Sequence, residues 1–346
     1  MEFDAFSSQG DHARIERLVA TEETSFDTAG CEVRDLRPQV FEDYPGQDRV
    51  KENLKVYIHA ALERDEPLDH LILHGPPGLG KTTLARIVAS ELSVPFYQTS
   101  GPNIDKAGDL AGLLAGVEPR SVVFIDEIHR LSIAVEEILY SAMEDFSMDI
   151  IVGQGPTSRS VKMPIAPFTL IGATTRMSLL SSPFRSRFGI QERLEFYEPK
   201  ALSKILRRSA EILEVDLSDE GALEMAARSR GTPRVANRLL RRSRDFCAFL
   251  KEESITAKVA QLTLERLEID KGGLDKMDRR LLGAILSQYQ GGPVGLDALA
   301  ATIGEERSTI EEVYEPFLMH QGYLTRGPRG REISQKGREH MGALGG

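Results

Sequence analysis

Short apolar runs alternate with longer amphipathic stretches between residues 49 and 196. Runs of four to six apolar residues are typical of buried strands, whereas apolar residues spaced three and four apart indicate helices. The alternation predicts an α/β fold in which helices cover both faces of a mostly parallel sheet. Strands are predicted at 71–73, 95–98, 122–125, 168–172 and 193–196, and helices at 49–64, 81–92, 109–114 and 135–145.

From residue 199 the strand pattern stops and helical patterns follow one another. Four helices are predicted, at 201–213, 219–229, 234–250 and 257–267. Lys271, Gly272 and Gly273 then indicate a linker. Beyond it the pattern predicts three helices and two short strands, at 276–289, 296–302, 307–320, 322–325 and 331–334. That order is the layout of a winged helix-turn-helix.

The chain therefore divides into four predicted regions. Residues 1–34 are polar and acidic and are expected to form a flexible extension. An α/β domain is predicted over 35–198, an all-α domain over 199–270 and a winged-helix domain over 271–346.

One segment interrupts the α/β alternation. Two strand-like stretches over 148–163 flank the turn-rich residues 153–156, which predicts a β-hairpin. Ile150, Ile151 and Val152 are too apolar for a solvated loop. The hairpin is either an edge element with one buried face or a projection that binds a partner, since exposed apolar surface marks interfaces. The residues alone favour neither interpretation.

A phosphate-binding loop follows the first predicted strand. Residues 75–82 read GPPGLGKT and precede a helical pattern, which is the context this motif requires. Gly75, Gly78 and Gly80 allow the backbone N–H groups to turn inward around an anion. Lys81 is placed to reach the β- and γ-phosphates and Thr82 to bind magnesium. The loop therefore predicts binding of a nucleoside triphosphate with Mg²⁺.

A second acidic motif completes the predicted chemistry. The apolar strand at 122–125 ends in Asp126 and Glu127, about 45 residues after the phosphate loop. Asp126 is predicted to hold the magnesium, and Glu127 to orient and deprotonate the attacking water. Hydrolysis of the γ-phosphate is the expected reaction.

Charge is distributed unevenly along the chain. The net charge is −10, but residues 1–70 hold 17 Asp or Glu against 8 Lys or Arg, nearly the whole imbalance. Residues 200–250 carry 11 basic against 7 acidic residues, and residues 321–338 carry 5 against 1. The acidic total therefore does not exclude nucleic acid as a partner. No apolar stretch reaches membrane-spanning length, and the two cysteines lack metal spacing, so a cytoplasmic location is expected.

The two motifs together resemble the AAA+ ATPases, in which an α/β P-loop domain precedes a helical lid. The resemblance implies that Thr175, at the end of the next strand, is the first sensor of the γ-phosphate. Arg187, in the segment SPFRSRF at 182–188, is similar to the arginine finger that reaches a neighbouring subunit's site. Arg234, in GTPR at 231–234, resembles the second sensor.

Within that class the chain resembles the RuvB family, the bacterial motors that migrate Holliday junctions in homologous recombination and repair. The segments that carry the resemblance are DHLILHG at 69–75, FIDEIHRL at 124–131, GTPRVANRLLRR at 231–242, GGPVGLD at 291–297 and GEER at 304–307. They imply a lid and a winged-helix DNA-binding domain over the predicted C-terminal regions.

The resemblance also implies roles for further residues. Those assigned to nucleotide binding are Leu36, Arg37, Tyr44, Thr83, Glu144, Asp145, Phe146 and Tyr197. The residues implied to meet duplex phosphates are Arg307, Arg326, Arg329 and Arg331. Such contacts grip DNA without reading its sequence. The hairpin run of Ile150, Ile151 and Val152 is implied to contact RuvA, the junction-recognising partner.

The implied assembly is a homo-oligomeric ring, a hexamer in the family, on double-stranded DNA at Holliday junctions, with RuvA and the RuvC resolvase as partners. A clamp-loader-like switch ATPase is the main alternative, because it shares the ATPase motifs. Its C-terminal region is a helical collar, whereas the basic turn at 326–330 favours DNA contact. A protein-unfolding ring would need an aromatic pore loop, which we do not find in the sequence.

Overall fold

The computed structural model describes residues 35–152 and 159–344, and these form two compact units. One unit spans Arg37–Glu195, and the other comprises Leu36 and the chain from Phe196 onward. The predicted acidic extension and the hairpin turn lie outside the described residues. None of the described helices is long and apolar enough to cross a membrane.

A parallel sheet of five strands forms the centre of the first unit. Its strand order is β2-β3-β6-β1-β7, where the strands are β1 Leu71–His74, β2 Phe96–Ser100, β3 Val122–Asp126, β6 Thr169–Thr174 and β7 Ile190–Arg193. Every pairing is parallel, so the carboxyl ends of the strands meet at one edge. The three central strands, β3, β6 and β1, are apolar throughout most of their length because helices cover both faces of the sheet.

Five helices belong to this unit: α1 Asp48–Arg64, α2 Lys81–Leu92, α3 Ala107–Ala115, α4 Ile133–Glu144 and α5 Ser182–Ser186. The core between helices and sheet includes the fully buried aromatic side chains of Phe124, Phe168 and Phe184. The predicted hairpin is present as antiparallel strands β4 Ser147–Val152 and β5 Arg159–Pro164.

The last strand of the sheet was predicted at the wrong place. We expected residues 193–196, but β7 is Ile190–Arg193. Ile190 and Glu192 face the interior while Gln191 and Arg193 are exposed, as on an edge strand that pairs only with β1. Glu192 is buried because its carboxylate accepts a hydrogen bond from Asn53 Nδ2 at 2.8 Å. Because Glu192 interrupts the apolar pattern of the inner face, the sequence did not indicate a strand at these residues.

The second unit contains a four-helix lid and a winged-helix fold. The lid helices are α6 Pro199–Ile212, α7 Asp219–Ala227, α8 Pro233–Leu250 and α9 Ala257–Arg266. The winged-helix part consists of α10 Lys276–Gln288, α11 Leu296–Ile303, α12 Arg307–Thr309, a π-helical turn Ile310–Tyr314, α13 Glu315–His320, strands β8 Leu324–Gly327 and β9 Gly330–Ile333, and α14 Gln335–Leu344.

The segment predicted as a linker is an ordered turn. The Asp270 carboxylate accepts hydrogen bonds from the backbone N–H groups of Gly272 and Leu274, at 2.8 and 2.9 Å. The Gly273 N–H donates to the Asp270 carbonyl at 3.0 Å. Lid and winged helix are therefore joined by a bonded turn, not by a loose tether.

Candidate functional site

The phosphate loop lies at the carboxyl edge of the sheet, between β1 and α2. Gly75 and Gly80 have φ angles of +141° and +91°, a region that side chains with a Cβ rarely adopt. A Cβ on Gly75 would also come within 2.5 Å of the Leu194 carbonyl oxygen. The loop geometry therefore requires glycine at both positions, and α2 begins directly after it, with its N-terminus toward the loop.

Lys81 is the first residue of α2 and is almost fully buried. Its ammonium group donates to the carbonyls of Gly75 and Pro76, at 2.8 and 2.9 Å, which directs the charge into the loop. Gly78 also has a positive φ, of +80°, and Thr83 is half-buried in the first turn of α2. A buried lysine surrounded by carbonyls and N–H groups is suited to binding phosphate oxygens.

Thr82 in the first turn of α2 and Asp126 at the end of β3 are brought together. The Thr82 hydroxyl lies 3.3 Å from Asp126 Oδ2, at the carboxyl ends of β1 and β3. A hydroxyl and one carboxylate form an incomplete set of hard oxygen ligands. Mg²⁺ commonly takes one or two protein oxygens and completes its shell with nucleotide phosphates and water. The described residues contain no cluster of three or more acidic, histidine or cysteine ligands. This site fits a metal that is bound together with a nucleotide.

Glu127 follows Asp126 in a left-handed conformation, with φ +48°. A non-glycine residue at positive φ costs roughly 1 kcal/mol, and such residues cluster at functional sites. Its carboxylate is 43% exposed and pairs with Arg130 at 3.0 Å. The backbone conformation turns this carboxylate outward from the end of β3. Arg130 was missed from the sequence, although its spacing of three residues from Glu127 was a usable signal.

The first-sensor region is tied to the acidic loop through a histidine. Thr174, the last residue of β6, lies with its hydroxyl 2.9 Å from His129 Nδ1, and it accepts the Arg176 backbone N–H at 2.9 Å. Thr175, the predicted sensor, is half-buried in the next position. The sensor strand and the Asp126-Glu127 loop are thus linked through His129.

Tyr44 packs beneath the phosphate loop. It is buried, and its hydroxyl donates to the Leu79 carbonyl at 3.3 Å. A Cβ on Gly80 would lie 3.0 Å from that hydroxyl, so the two residues are in close contact. Lys51 Nζ donates to the Tyr44 carbonyl at 2.8 Å, which fixes the backbone. Tyr44 therefore supports the loop from within the same unit.

Arg187 lies at the opposite edge of the sheet from the phosphate loop. Leu71 at the start of β1 is paired with Ile190 at the start of β7. A Cβ on Gly189 would lie 3.3 Å from that of Asp69, just before β1. The phosphate loop follows the other end of β1, about 10 Å of strand away. Arg187 is therefore at the wrong end of the sheet to serve phosphates on its own loop.

The end of α4 lies at the same amino edge as Arg187. His70, just before β1, links this end of α4 to the sheet through its neutral ring. Its Nδ1 accepts the Leu170 N–H at 2.9 Å, and its Nε2 donates to the Met143 carbonyl at 3.1 Å. Burial lowers the pKa of His70 and favours this neutral form. Glu144 follows Met143 and lies 3.1 Å from Arg187 Nε.

Asp145 and Phe146 also lie at this edge. Asp145 pairs with Lys162 on the hairpin at 3.2 Å. Phe146 packs edge-on against Phe168, with ring centroids 6.2 Å apart. Together with Glu144, these residues are not beside the phosphate loop of their own chain. Their implied role in nucleotide binding can therefore apply only to a nucleotide held by another subunit.

The second unit carries the other residues assigned to the nucleotide. Arg234 is exposed at the second position of α8, whose N-cap Thr232 accepts the Val235 N–H. A cation at a helix N-terminus opposes the helix dipole, so its position is more suitable for binding an anion than for stabilising the helix. Tyr197 is buried, and its N–H donates to the Gly231 carbonyl at 2.8 Å, beside the same turn.

The residues before the first helix differ in their environment. Leu36 is buried, and its carbonyl accepts a hydrogen bond from Arg208 Nη1 on α6 at 2.8 Å. Arg37 is exposed. Arg208 was missed from the sequence, because a single arginine in a basic helix gives no sign of a backbone partner.

Arg331, which is predicted to meet DNA phosphates, is buried inside the winged-helix part of the chain. It is only 6% exposed, and its Nε lies 2.5 Å from Glu315 Oε1. Its Nη2 lies 3.2 Å from Glu311. These carboxylates raise the pKa of Arg331 and outweigh the cost of its burial. The guanidinium is used inside the domain to hold β9 against the π-helical turn and α13.

The other wing arginines differ in their surroundings. The turn between β8 and β9 is tight, so that Arg326 on β8 lies opposite Arg331 on β9 in the antiparallel register. Arg326 is half-exposed and lies 3.4 Å from Glu311, which partly neutralises it. Arg329, at the tip, is exposed and forms no ion pair with any residue that the structure describes. Arg307 is exposed at the start of α12 but pairs with Asp297 at 2.9 Å.

The hairpin presents an apolar residue to solvent on β5. Val161 is 50% exposed and lies opposite Ile150 in the antiparallel register. The side chains of Ile150, Ile151 and Val152 lie outside what the structure describes. Val161 therefore adds to the predicted partner-binding surface a position that the sequence did not single out.

A buried ion cluster joins the lid to the winged helix. Arg230, just before α8, lies 2.9 Å from Asp275 and 2.5 Å from Asp278, and all three side chains are less than a tenth exposed. Its Nη2 donates to the Val313 carbonyl at 3.2 Å, and its guanidinium lies 4.5 Å from the Phe317 ring centre. Sequence reasoning missed this cluster, because Arg230 lies more than forty residues before Asp275 and Asp278.

Comparison with known proteins assigns every described region to one family. Models of the Holliday junction DNA helicase RuvB P-loop domain, the RuvB AAA lid domain and the RuvB C-terminal winged helix domain match residues 36–194, 197–270 and 271–342. They confirm the predicted α/β P-loop, lid and winged-helix architecture.

Solved structures of Thermotoga maritima RuvB are similar over most of the chain. The structure described as its Holliday junction branch migration motor is 50% identical and covers 89% of this chain and 98% of that chain, with a TM-score of 0.81. A lysine-to-arginine mutant of the same protein is 49% identical over the same shares, with a TM-score of 0.83.

Proposed function

The chain belongs to the RuvB family of ATP-driven Holliday junction branch migration motors, and from that membership we propose how its residues divide the work. It is a P-loop ATPase whose hydrolysis drives the movement of junction DNA. Its C-terminal winged helix stands where a clamp loader has a helical collar, so the clamp-loader alternative is set aside. The proposed functional regions are the ATPase domain over 35–198, the lid over 199–270 and the winged helix over 271–346, preceded by the acidic extension over 1–34, to which we assign no function.

We propose that each ATP is held by one subunit and completed by its neighbour. The observation that carries this proposal is the position of Arg187 at the amino edge of the sheet, opposite its own phosphate loop. In a ring, that edge of one subunit is placed to meet the loop edge of the next. Arg187 would then stabilise the charge of the transition state in trans. Glu144, Asp145 and Phe146 would meet the same neighbouring nucleotide.

Within one subunit, Lys81 binds the β- and γ-phosphates and the loop N–H groups surround them. Thr82 and Asp126 would hold Mg²⁺, which supplies charge neutralisation at the phosphates when bound. Glu127 orients the attacking water and accepts its proton, while Thr175 and Arg234 act as the two sensors. Catalysis of this kind depends mainly on positioning and electrostatics.

The lid and the winged helix are proposed to move together. Arg230 is buried between the two and pairs with carboxylates on the winged-helix side. Separating these groups would leave buried charges unpaired, which is strongly unfavourable. A displacement of the lid during the ATPase cycle is therefore passed directly to the domain that grips DNA.

The contacts with partners follow from exposed residues. Arg329 and, more weakly, Arg326 and Arg307 are proposed to grip duplex phosphates without reading sequence. The hairpin, including Val161, is proposed to bind RuvA, and RuvC is proposed to act on the same junction. The ring is proposed to be a hexamer in the cytoplasm.

The test uses purified protein, ATP, magnesium and synthetic four-way junctions, with and without RuvA. Strand separation should require ATP and increase with RuvA, and Lys81→Ala should abolish it. A wild-type protein that leaves junctions intact but opens a sliding clamp would support the switch ATPase instead.

A further inference from the structure

Arg187 is held by a set of side chains that the ATPase motifs do not include. Its guanidinium carbon lies 4.2 Å from the centre of the Tyr140 ring, and its Nη1 donates to the Pro183 carbonyl at 2.7 Å. Its Nε lies 3.1 Å from Glu144 Oε1, in an ion pair without hydrogen-bond alignment. In the described part of the chain, no residue forms a hydrogen bond with its Nη2.

The contact with Tyr140 holds the guanidinium over the ring. A cation over a tyrosine face is attracted by the negative charge of that face, so this position is favoured over free rotation of the side chain. The Arg187 side chain is only 21% exposed, so solvent competes little with this contact. Two sides of the guanidinium are therefore held within the subunit, while its remaining end can meet a phosphate oxygen.

Tyr140 is itself immobilised through its hydroxyl. The hydroxyl donates to Glu136 Oε2 at 3.2 Å, and Ser181 Oγ donates to the same oxygen at 3.0 Å. The two hydroxyl oxygens lie 3.0 Å apart, which closes a triangle of three oxygens. Glu136 is only 6% exposed, and a buried carboxylate needs such donors.

The triangle connects two elements that must keep a fixed relation. Glu136 and Tyr140 lie one turn apart on α4, while Ser181 is the N-cap of α5 and accepts the Phe184 N–H at 3.3 Å. Arg187 follows the last residue of α5 directly. The arginine therefore extends from a five-residue helix whose N-cap is held by Glu136 and Tyr140 of α4.

We propose that Tyr140 is the positioning residue of the arginine finger, and that Glu136 and Ser181 position Tyr140. The Tyr140 side chain holds Arg187 in one orientation before the neighbouring subunit's nucleotide binds. Little conformational freedom of the arginine side chain therefore remains to be lost during the reaction. Misplacing a catalytic group by about 1 Å can cost on the order of 10²-fold in rate. This inference rests on the proposed role of Arg187 in the neighbouring subunit's site.

The experiment compares steady-state ATP hydrolysis by the assembled full-length protein in four variants. Tyr140→Met removes the ring face at similar volume, Tyr140→Phe keeps it, Arg187→Ala removes the finger, and Tyr57→Leu changes an exposed tyrosine on α1. We expect Tyr140→Met to lower kcat roughly 10-fold or more without changing KM for ATP. Tyr140→Phe keeps the ring but loses the hydroxyl that Glu136 and Ser181 hold, so its kcat should lie between those of Tyr140→Met and wild type. Tyr57→Leu should match wild type.

A double variant separates positioning from general structural damage. Tyr140→Met combined with Arg187→Ala should hydrolyse ATP no more slowly than Arg187→Ala alone, because the tyrosine acts only through the arginine. Losses that multiply, or a normal kcat for Tyr140→Met, would overturn the inference. If Tyr140→Met lowers the melting temperature markedly, Tyr140→Leu replaces it in the same cycle. A normal kcat for Arg187→Ala would instead refute the shared site itself.

Discussion

Arg331 on β9 lies buried against Glu315 on α13, with its Nε 2.5 Å from the carboxylate oxygen. Arg329, at the tip of the same short hairpin, is exposed. The two arginines therefore have different environments and are expected to have different roles. Buried charges that lose their partner destabilise a protein by several kcal/mol, whereas an exposed phosphate contact affects binding alone.

Replacing Arg329 should weaken binding to duplex DNA of any sequence without changing stability. Arg329→Ala should lower the slope of log affinity against log salt by about 0.9, the value for one phosphate contact. Fluorescence anisotropy at several salt concentrations measures this slope. An unchanged slope would show that the tip does not touch DNA.

Replacing Arg331 should affect folding first. Arg331→Ala takes the buried cation away from the buried Glu315 and the partly buried Glu311, leaving only the half-exposed Arg326 beside them, and should destabilise the winged helix by about 3 kcal/mol. Denaturation followed by circular dichroism would show it, with Arg329→Ala as the matched control. If Arg331→Ala is as stable as wild type yet loses DNA affinity, our assignment of a structural role is wrong.

The ATPase motifs could be predicted because they are local in sequence. Gly75, Gly80 and the first residues of α2 follow one another within a single short motif, so the motif itself predicts the loop and the start of the helix. The burial of Arg331 could not be predicted in this way. It depends on ion pairs with Glu311 and Glu315, which lie sixteen or more residues earlier in the chain. Composition around the turn showed only its positive charge.

The edge location of Arg187 was equally hidden from sequence. The motif predicted a finger used in trans, but only the pairing of Leu71 with Ile190 shows which end of the sheet it occupies. The last strand was predicted at the wrong residues for a similar reason. An acidic residue such as Glu192 is normally expected to be exposed, and the sequence gives no sign that Asn53 forms a hydrogen bond with its carboxylate. In each case the position of the residue or strand depends on contacts between residues that are far apart in the sequence.

Removing the catalytic carboxylate should separate binding from hydrolysis. Glu127→Gln keeps the shape of the side chain but cannot accept a proton, so hydrolysis should fall about 10²-fold or more while ATP still binds. Nucleotide titration and phosphate release measure the two steps. Glu137→Gln, exposed on α4, is the control and should leave both unchanged.

The lid–winged-helix cluster should make stability depend on pH. Burial raises the pKa of Asp278 from an ordinary value of 3.8 to about 8, against the opposing effect of Arg230. Between these values the folded state keeps a proton that the unfolded chain has lost, so stability decreases as pH rises.

Thermal unfolding between pH 5.5 and 8 tests this dependence. The wild-type midpoint should fall with pH more steeply than that of Asp278→Asn, which does not titrate. Asp297→Asn, at an exposed carboxylate, should keep the wild-type slope. Parallel slopes for wild type and Asp278→Asn would show that Asp278 is ionised throughout this range.

The hairpin variant should uncouple the partner from the motor. Val161→Asp places a charge on the exposed apolar face of β5 and should abolish stimulation by RuvA while basal ATP hydrolysis stays normal. Val56→Asp, at a similarly exposed valine on α1, is the matched control. Equal stimulation of both variants would place the RuvA contact elsewhere.

The central claim is that one subunit supplies the phosphate loop and its neighbour the arginine. Lys81→Ala subunits lack a working loop but keep Arg187, whereas Arg187→Ala subunits keep the loop. Each variant alone should be inactive, and mixing them should restore ATP hydrolysis at the interfaces where an intact loop meets an intact arginine. ATPase activity of the mixture well above that of either variant is the predicted result. Activity that stays at the average of the two inactive variants would contradict a site shared between subunits.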